Sequence, residues 1–79
     1  MAVRVELTSL LRKFVPDYDA EAGILLEDGE GKAIQQIIEE LEIPPKKVFT
    51  IIVNHYPGNR SYIAKDGDHI VLAMTIGAG

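Results

Sequence analysis

Asp66-Gly67-Asp68-His69-Ile70-Val71-Leu72-Ala73-Met74-Thr75-Ile76-Gly77-Ala78-Gly79 is the stretch around which the rest of the sequence is organised. Asp-Gly is a turn signal, because glycine takes a positive φ at little cost. The apolar run that follows is long enough for one strand and leaves no room for a helix after it. Gly77, Ala78 and Gly79 then carry almost no side chain. A central strand that runs within a few residues into an unencumbered carboxylate on Gly79 asks for a functional explanation; a frayed end is the plain alternative.

Upstream of this stretch, Val48-Phe49-Thr50-Ile51-Ile52-Val53-Asn54 predicts another strand, introduced by Lys46-Lys47. Residues 55–61 form a turn or loop. Tyr62-Ile63-Ala64 predicts a short edge strand before the turn at Lys65–Asp68. One helix is predicted: Ile34, Ile37, Ile38 and Leu41 fall at i, i+3, i+4 and i+7 and share one face. Gln35, Gln36, Glu39, Glu40 and Glu42 cover the other face. Gly31 is the candidate N-cap, and Pro44-Pro45 forbids continuation beyond about Glu42. At the start of the chain, Val3-Arg4-Val5-Glu6-Leu7 alternates as a half-buried strand does. Leu10, Leu11 and Phe14 suit a loop or short helical turn, and Gly23–Glu27 reads as a second strand closed by Asp28-Gly29.

The order strand, strand, helix, strand, short strand, strand defines an α+β layout. Its natural topology is the ubiquitin-like β-grasp: a mixed sheet of four to five strands, one main helix on one face, and the first and last strands parallel at the centre. The helical crossover supplies the long connection that parallel pairing needs. Residues 1–76 make the domain and residues 77–79 a flexible tail.

Composition narrows the chemistry. The chain has 79 residues, no Cys and a formal net charge of −4. Disulfides, thiolate metal sites and cysteine nucleophiles are excluded. Nucleic acid is not the expected partner, since the basic residues are dispersed and outnumbered. No apolar run approaches the ~20 residues needed to span a bilayer, and Met1–Glu6 lacks the apolar core of a signal peptide. No membrane partner and a cytoplasmic setting are therefore expected.

Three local patterns weigh little. Asp17, Asp19 and Glu21 resemble the start of a calcium loop. However, Ala22 stands where the tight turn needs glycine, and Asp28 stands where Glu is expected. Gly29-Glu30-Gly31 places a negative charge beside any would-be phosphate. His55 and His69 show no triad or metal-ligand spacing. The expectation is a protein that is not itself an enzyme, with no bound cofactor and no metal.

Alternation assigns the sheet's faces. Val3, Val5, Leu7, Ile51, Val53, Ile70 and Leu72 point to the helix. Arg4, Glu6, Thr50, Ile52, Val71 and Ala73 point away. Ile52, Val71 and Ala73 thus form a candidate partner-binding patch, unless residues 56–61 fold across it. The terminal carboxylate has its own logic. It is ionised at neutral pH and a poor acyl donor until another protein activates it. Extended, Ile76–Gly79 would reach roughly 13 Å into a partner's cleft.

These features together give the chain a family resemblance. It resembles the MoaD/ThiS family of ubiquitin-like sulfur carriers, which includes the small subunit of molybdopterin synthase and the thiamine-pathway carrier. The match lies in Val3-Arg4-Val5, the helix after Gly29, Val53-Asn54 followed by a turn, Lys65-Asp66-Gly67-Asp68-His69-Ile70, and Ile76 before the tail. The resemblance implies that Gly79 is adenylated, at the expense of ATP, by a ubiquitin-activating-type adenylyltransferase. It is then converted to a thiocarboxylate, with Ile76, Gly77 and Ala78 threading the partner's site. The receiving partner would be the large subunit of molybdopterin synthase, in molybdenum or tungsten cofactor synthesis, or a thiazole synthase. The family ends Gly-Gly, whereas Ala78 here adds a methyl. A ubiquitin-like modifier joined to lysines, and a non-covalent β-grasp binding module without tail chemistry, are the alternatives.

Overall fold

The computed structural model describes residues 2–8, 10–19 and 21–74. Alternation in the first segment is realised as strand β1 (Val3–Leu7), with Val3, Val5 and Leu7 buried. It pairs antiparallel with β2 (Ile24–Leu26) and parallel with the last strand, β5 (His69–Ala73). β5 also pairs antiparallel with β3 (Thr50–Val53), which carries the two-residue edge strand β4 (Tyr56–Pro57). The sheet order is β2-β1-β5-β3-β4, so the first and last strands lie parallel at its centre. With the helix α1 (Ile34–Glu40) on one face, this is the β-grasp arrangement expected from the sequence.

The core is the meeting of that helix with the inward rows of the strands. Ile34, Ile37 and Ile38 are fully buried against a cluster including Val5, Leu7, Ile51, Ile70 and Leu72. Leu41 packs at its margin, half-buried. Leu11, Ile43, Val48 and Ala64 complete the cluster from the connecting segments. Full burial of such side chains contributes about 1.5–3 kcal/mol each.

Several boundaries differ from the sequence expectation, and β3 is trimmed from 48–54 to Thr50–Val53. The helix is shorter at its start, because Ala33 is extended and bridges to Ile63. Its first amides are satisfied by the loop opposite: Ile34 N–H donates to the Tyr62 carbonyl (3.0 Å) and Gln35 N–H to the Arg60 carbonyl (2.9 Å). That loop, rather than Gly31, therefore caps the helix. At the other end, Glu42 is left-handed (φ 61) and Ile43 N–H reaches back to the Ile38 carbonyl, which closes the helix ahead of the prolines. Tyr62–Ala64 is a bridge rather than a strand. The edge strand is β4, joined to β3 by Asn54 and His55, both at positive φ as a tight two-residue hairpin requires. β2 is trimmed to Ile24–Leu26. It starts after Gly23, whose φ of 74° and whose close approach to the Val5 carbonyl (2.9 Å from an added Cβ) leave room only for glycine.

Candidate functional site

The strand alternation leaves one sheet face without a helix. Register puts Ile52 opposite Val71 and Thr50 opposite Ala73 across β3 and β5, Glu6 beside Val71 on β1, and Pro57 beside Ile52 on β4. Ile52, Val71 and Ala73 are therefore brought together as one strip, each half-buried by its strand neighbours. The segment after β4 does not cross this strip. Gly58 N–H donates to the Ile51 carbonyl (2.9 Å), and Arg60 and Tyr62 hold the start of the helix, so the loop lies on the helical side. Ile76, Gly77, Ala78 and Gly79 lie outside the described residues.

The Asp-Gly-Asp turn has a definite structural task. Asp68, only 6% exposed, accepts hydrogen bonds from Asn54 Nδ2 (2.8 Å), the Tyr62 hydroxyl (2.7 Å) and the Lys65 amide (2.8 Å). Burial pushes its carboxyl pKa up, but the three donors together outweigh burial and hold it below the ordinary value. The hydrogen bond to Asp68 in turn raises the Tyr62 phenol. Asn54 completes the knot: its Oδ1 accepts from the His69 amide (2.9 Å), and its own amide donates to the His69 carbonyl (2.8 Å). Asp68 and Asn54 thus fix where β5 starts and, through β5, where it delivers the chain.

Beside the strip, His69 Nε2 lies 3.0 Å from Glu6 Oε1, and its ring meets that of His55 edge-on at 6.3 Å. The His69–Glu6 contact is close without hydrogen-bond alignment. In the acidic loop, Asp19 Oδ1 is taken by the Glu21 and Ala22 amides, an ordinary side-chain turn. Among the described residues, no group of three or more His, Asp or Glu is arranged to hold a metal ion. No helix among them is long and apolar enough to cross a membrane.

Sequence reasoning missed Phe49 and Arg60. Phe49 falls within the segment read as strand, but β3 starts only at Thr50, and Phe49 is 57% exposed. Arg60 looked like one of many loop residues. It is a clamp, donating to the Pro45 and Val48 carbonyls and to Gln35 Oε1.

A mixed five-stranded sheet with its first and last strands parallel at the centre, grasped by one helix, defines a ubiquitin-like domain. The family model described as Mut7-C ubiquitin matches residues 1–73, and the chain belongs to that family. Comparison with curated proteins and with solved structures returned no match. The family match establishes the ubiquitin-like domain; the sulfur-carrier resemblance rests on the motifs.

Proposed function

We propose that this ubiquitin-like domain is a sulfur carrier. A ubiquitin-activating-type adenylyltransferase joins the Gly79 carboxylate to AMP from ATP, releasing pyrophosphate. A hydrosulfide-level nucleophile then displaces AMP, leaving a thiocarboxylate and a proton. The sulfur passes to the large subunit of molybdopterin synthase, in molybdenum or tungsten cofactor formation, with a thiazole synthase as the thiamine-pathway counterpart. On this reading the chain is a substrate of its partners rather than an enzyme, and it binds no cofactor of its own.

The observation that supports the reading is the position of β5. It is a central strand, paired on both sides and pinned at its start by the Asp68–Asn54 knot, and its sequence continues directly into Ile76-Gly77-Ala78-Gly79. A rigid domain that carries small residues just beyond a central strand can offer them to a partner without ordering cost in the domain itself. The strip Ile52, Val71 and Ala73 would dock on the activating and receiving enzymes.

The reading requires a free carboxylate on Gly79, which the intact mass of the purified protein reports. After incubation with the adenylyltransferase, ATP and a sulfur donor, the mass is expected to rise by about 16 Da as oxygen is replaced by sulfur. Removal of Gly79 abolishes this gain. Absence of the gain in both the native chain and Ala78→Gly, with partner binding intact, sinks the carrier reading. The same half-buried strip then favours the non-covalent docking module.

A further inference from the structure

On the helical side of the sheet, away from the strip above, β3 outruns its edge partner. β4 pairs only with Ile52 and Val53. Where β4 stops, a groove of about 460 Å³ opens, lined by Val48, Phe49, Ile51, Gly58, Asn59, Arg60 and Ser61. Its floor is apolar, and Phe49 stands half in water at its edge. Its far wall is held in place: Asn59 Oδ1 accepts from both the amide and the hydroxyl of Ser61, at 3.0 and 2.6 Å.

The charge around this groove runs against that of the chain. The protein has twelve acidic and eight basic residues, yet no carboxylate lines the groove. Arg60 is fixed there by neutral acceptors alone: Nη2 to the Pro45 carbonyl (2.6 Å) and the Val48 carbonyl (2.7 Å), and Nη1 to Gln35 Oε1 (3.2 Å). These bonds immobilise the guanidinium without a direct carboxylate partner; the Glu39 carboxylate lies one side chain away, accepting from Gln35 Nε2 (2.8 Å). Lys46 and Lys47, on the exposed turn Pro45–Lys47 that leads into Val48, form no ion pair among the described residues. Arg60 lines the groove, and Lys46 and Lys47 lie in the segment between the two carbonyls that it clasps. Three cations without a direct carboxylate partner therefore come to one end of the groove.

We propose that this groove binds an extended acidic segment of a partner protein. The segment lies along the groove between Val48–Ile51 and Gly58–Ser61. One apolar side chain packs on Phe49 and Ile51, and its carboxylates meet Lys46, Lys47 and Arg60. The apolar contact supplies affinity, while the cations select for acid and speed encounter. An extended segment fits because the pre-formed wall at Asn59–Ser61 and the clamp at Arg60 need no reordering. This surface is distinct from the Ile52–Val71–Ala73 strip, and the proposal stands whether or not Gly79 is activated.

The test uses the full chain, isotopically labelled, titrated with the capped peptide Glu-Asp-Leu-Glu-Ile-Asp-Glu and followed by amide NMR. Saturable shifts confined to Lys47–Ile51 and Gly58–Ser61 are expected. The double variant Lys46→Glu/Lys47→Glu should weaken binding about tenfold or more, and Phe49→Ala about tenfold. All these side chains are exposed, so unchanged spectra elsewhere confirm that the variants are folded. Raising NaCl from about 0.05 to about 0.5 M should weaken binding several-fold as the ion pairs are screened. No shift at about 2 mM peptide overturns the proposal, since even a weak specific contact would show there. So does equal binding of a peptide with Lys at every acidic position. Inorganic phosphate or a ten-residue oligothymidylate giving the same shifts also overturns it, by assigning the cations to a small anion or to nucleic acid.

Discussion

Replacing Asp68 by Ala tests what holds β5 in position. The carboxylate is nearly buried and receives three donors, the Asn54 amide group, the Tyr62 hydroxyl and the Lys65 backbone amide. Hydrogen bonds to a charged acceptor contribute about 1.5–3 kcal/mol each when intact. Asn54 and Lys65 are exposed and Tyr62 half-exposed, so in the variant water re-solvates most of the donors. The expected net loss is therefore about 2–4 kcal/mol, well below the sum of the three. Urea unfolding followed by circular dichroism measures it, with an unchanged slope showing that the same surface unfolds.

The pH dependence sharpens the test. Asp68 has a folded pKa below its ordinary value of 3.8, since the donors outweigh burial. A depressed carboxylate stabilises the fold fully above the unfolded pKa and loses that contribution as pH falls through the folded pKa. The gap between wild type and Asp68→Ala should therefore be full at pH 6 and shrink below about pH 4. A loss under about 0.5 kcal/mol at pH 6, or a gap that does not narrow in acid, would refute the knot as a source of stability.

Three further outcomes follow from burial, backbone geometry and the open face. Ile38→Ala should cost about 2–5 kcal/mol, because Ile38 is fully buried between helix and sheet; a loss under 1 kcal/mol in the same urea assay would count against that packing. Gly23→Ala should destabilise by about 1–3 kcal/mol, since φ is 74° and the added Cβ would sit 2.9 Å from the Val5 carbonyl; thermal melting unaffected by the change would contradict this backbone geometry. On the proposed carrier reading, Val71→Asp should leave the melting temperature within a few degrees yet weaken binding of the activating adenylyltransferase at least about tenfold by calorimetry. It faces Glu6 across the ladder, where like charges cost about 0.2–1 kcal/mol. Equal loss of stability and binding would show that the strip belongs to the core.

The fold was legible because its large-scale signals are periodic. Val3/Val5/Leu7 at period two and Ile34/Ile37/Ile38 at helical spacing each left one buried solution. What escaped was decided by tertiary hydrogen bonds. Gly31 looked like a cap because nothing local shows that the Tyr62 and Arg60 carbonyls will reach the helix's first amides. The hairpin at Asn54-His55 was hidden because His stands where the usual two-residue turn signal has glycine, while Pro57 weakens any strand reading of Tyr56–Pro57. The open strip followed from alternation alone, since every second residue of β3 and β5 must face away from a single helix. The basic groove did not. It depends on where β4 stops and on an arginine that spends its donors on carbonyls, with no direct carboxylate partner. Local pattern therefore specifies which side chains a strand shows on each face. Loop hydrogen bonds decide where strands end, and at one such end they fix Arg60 beside the groove.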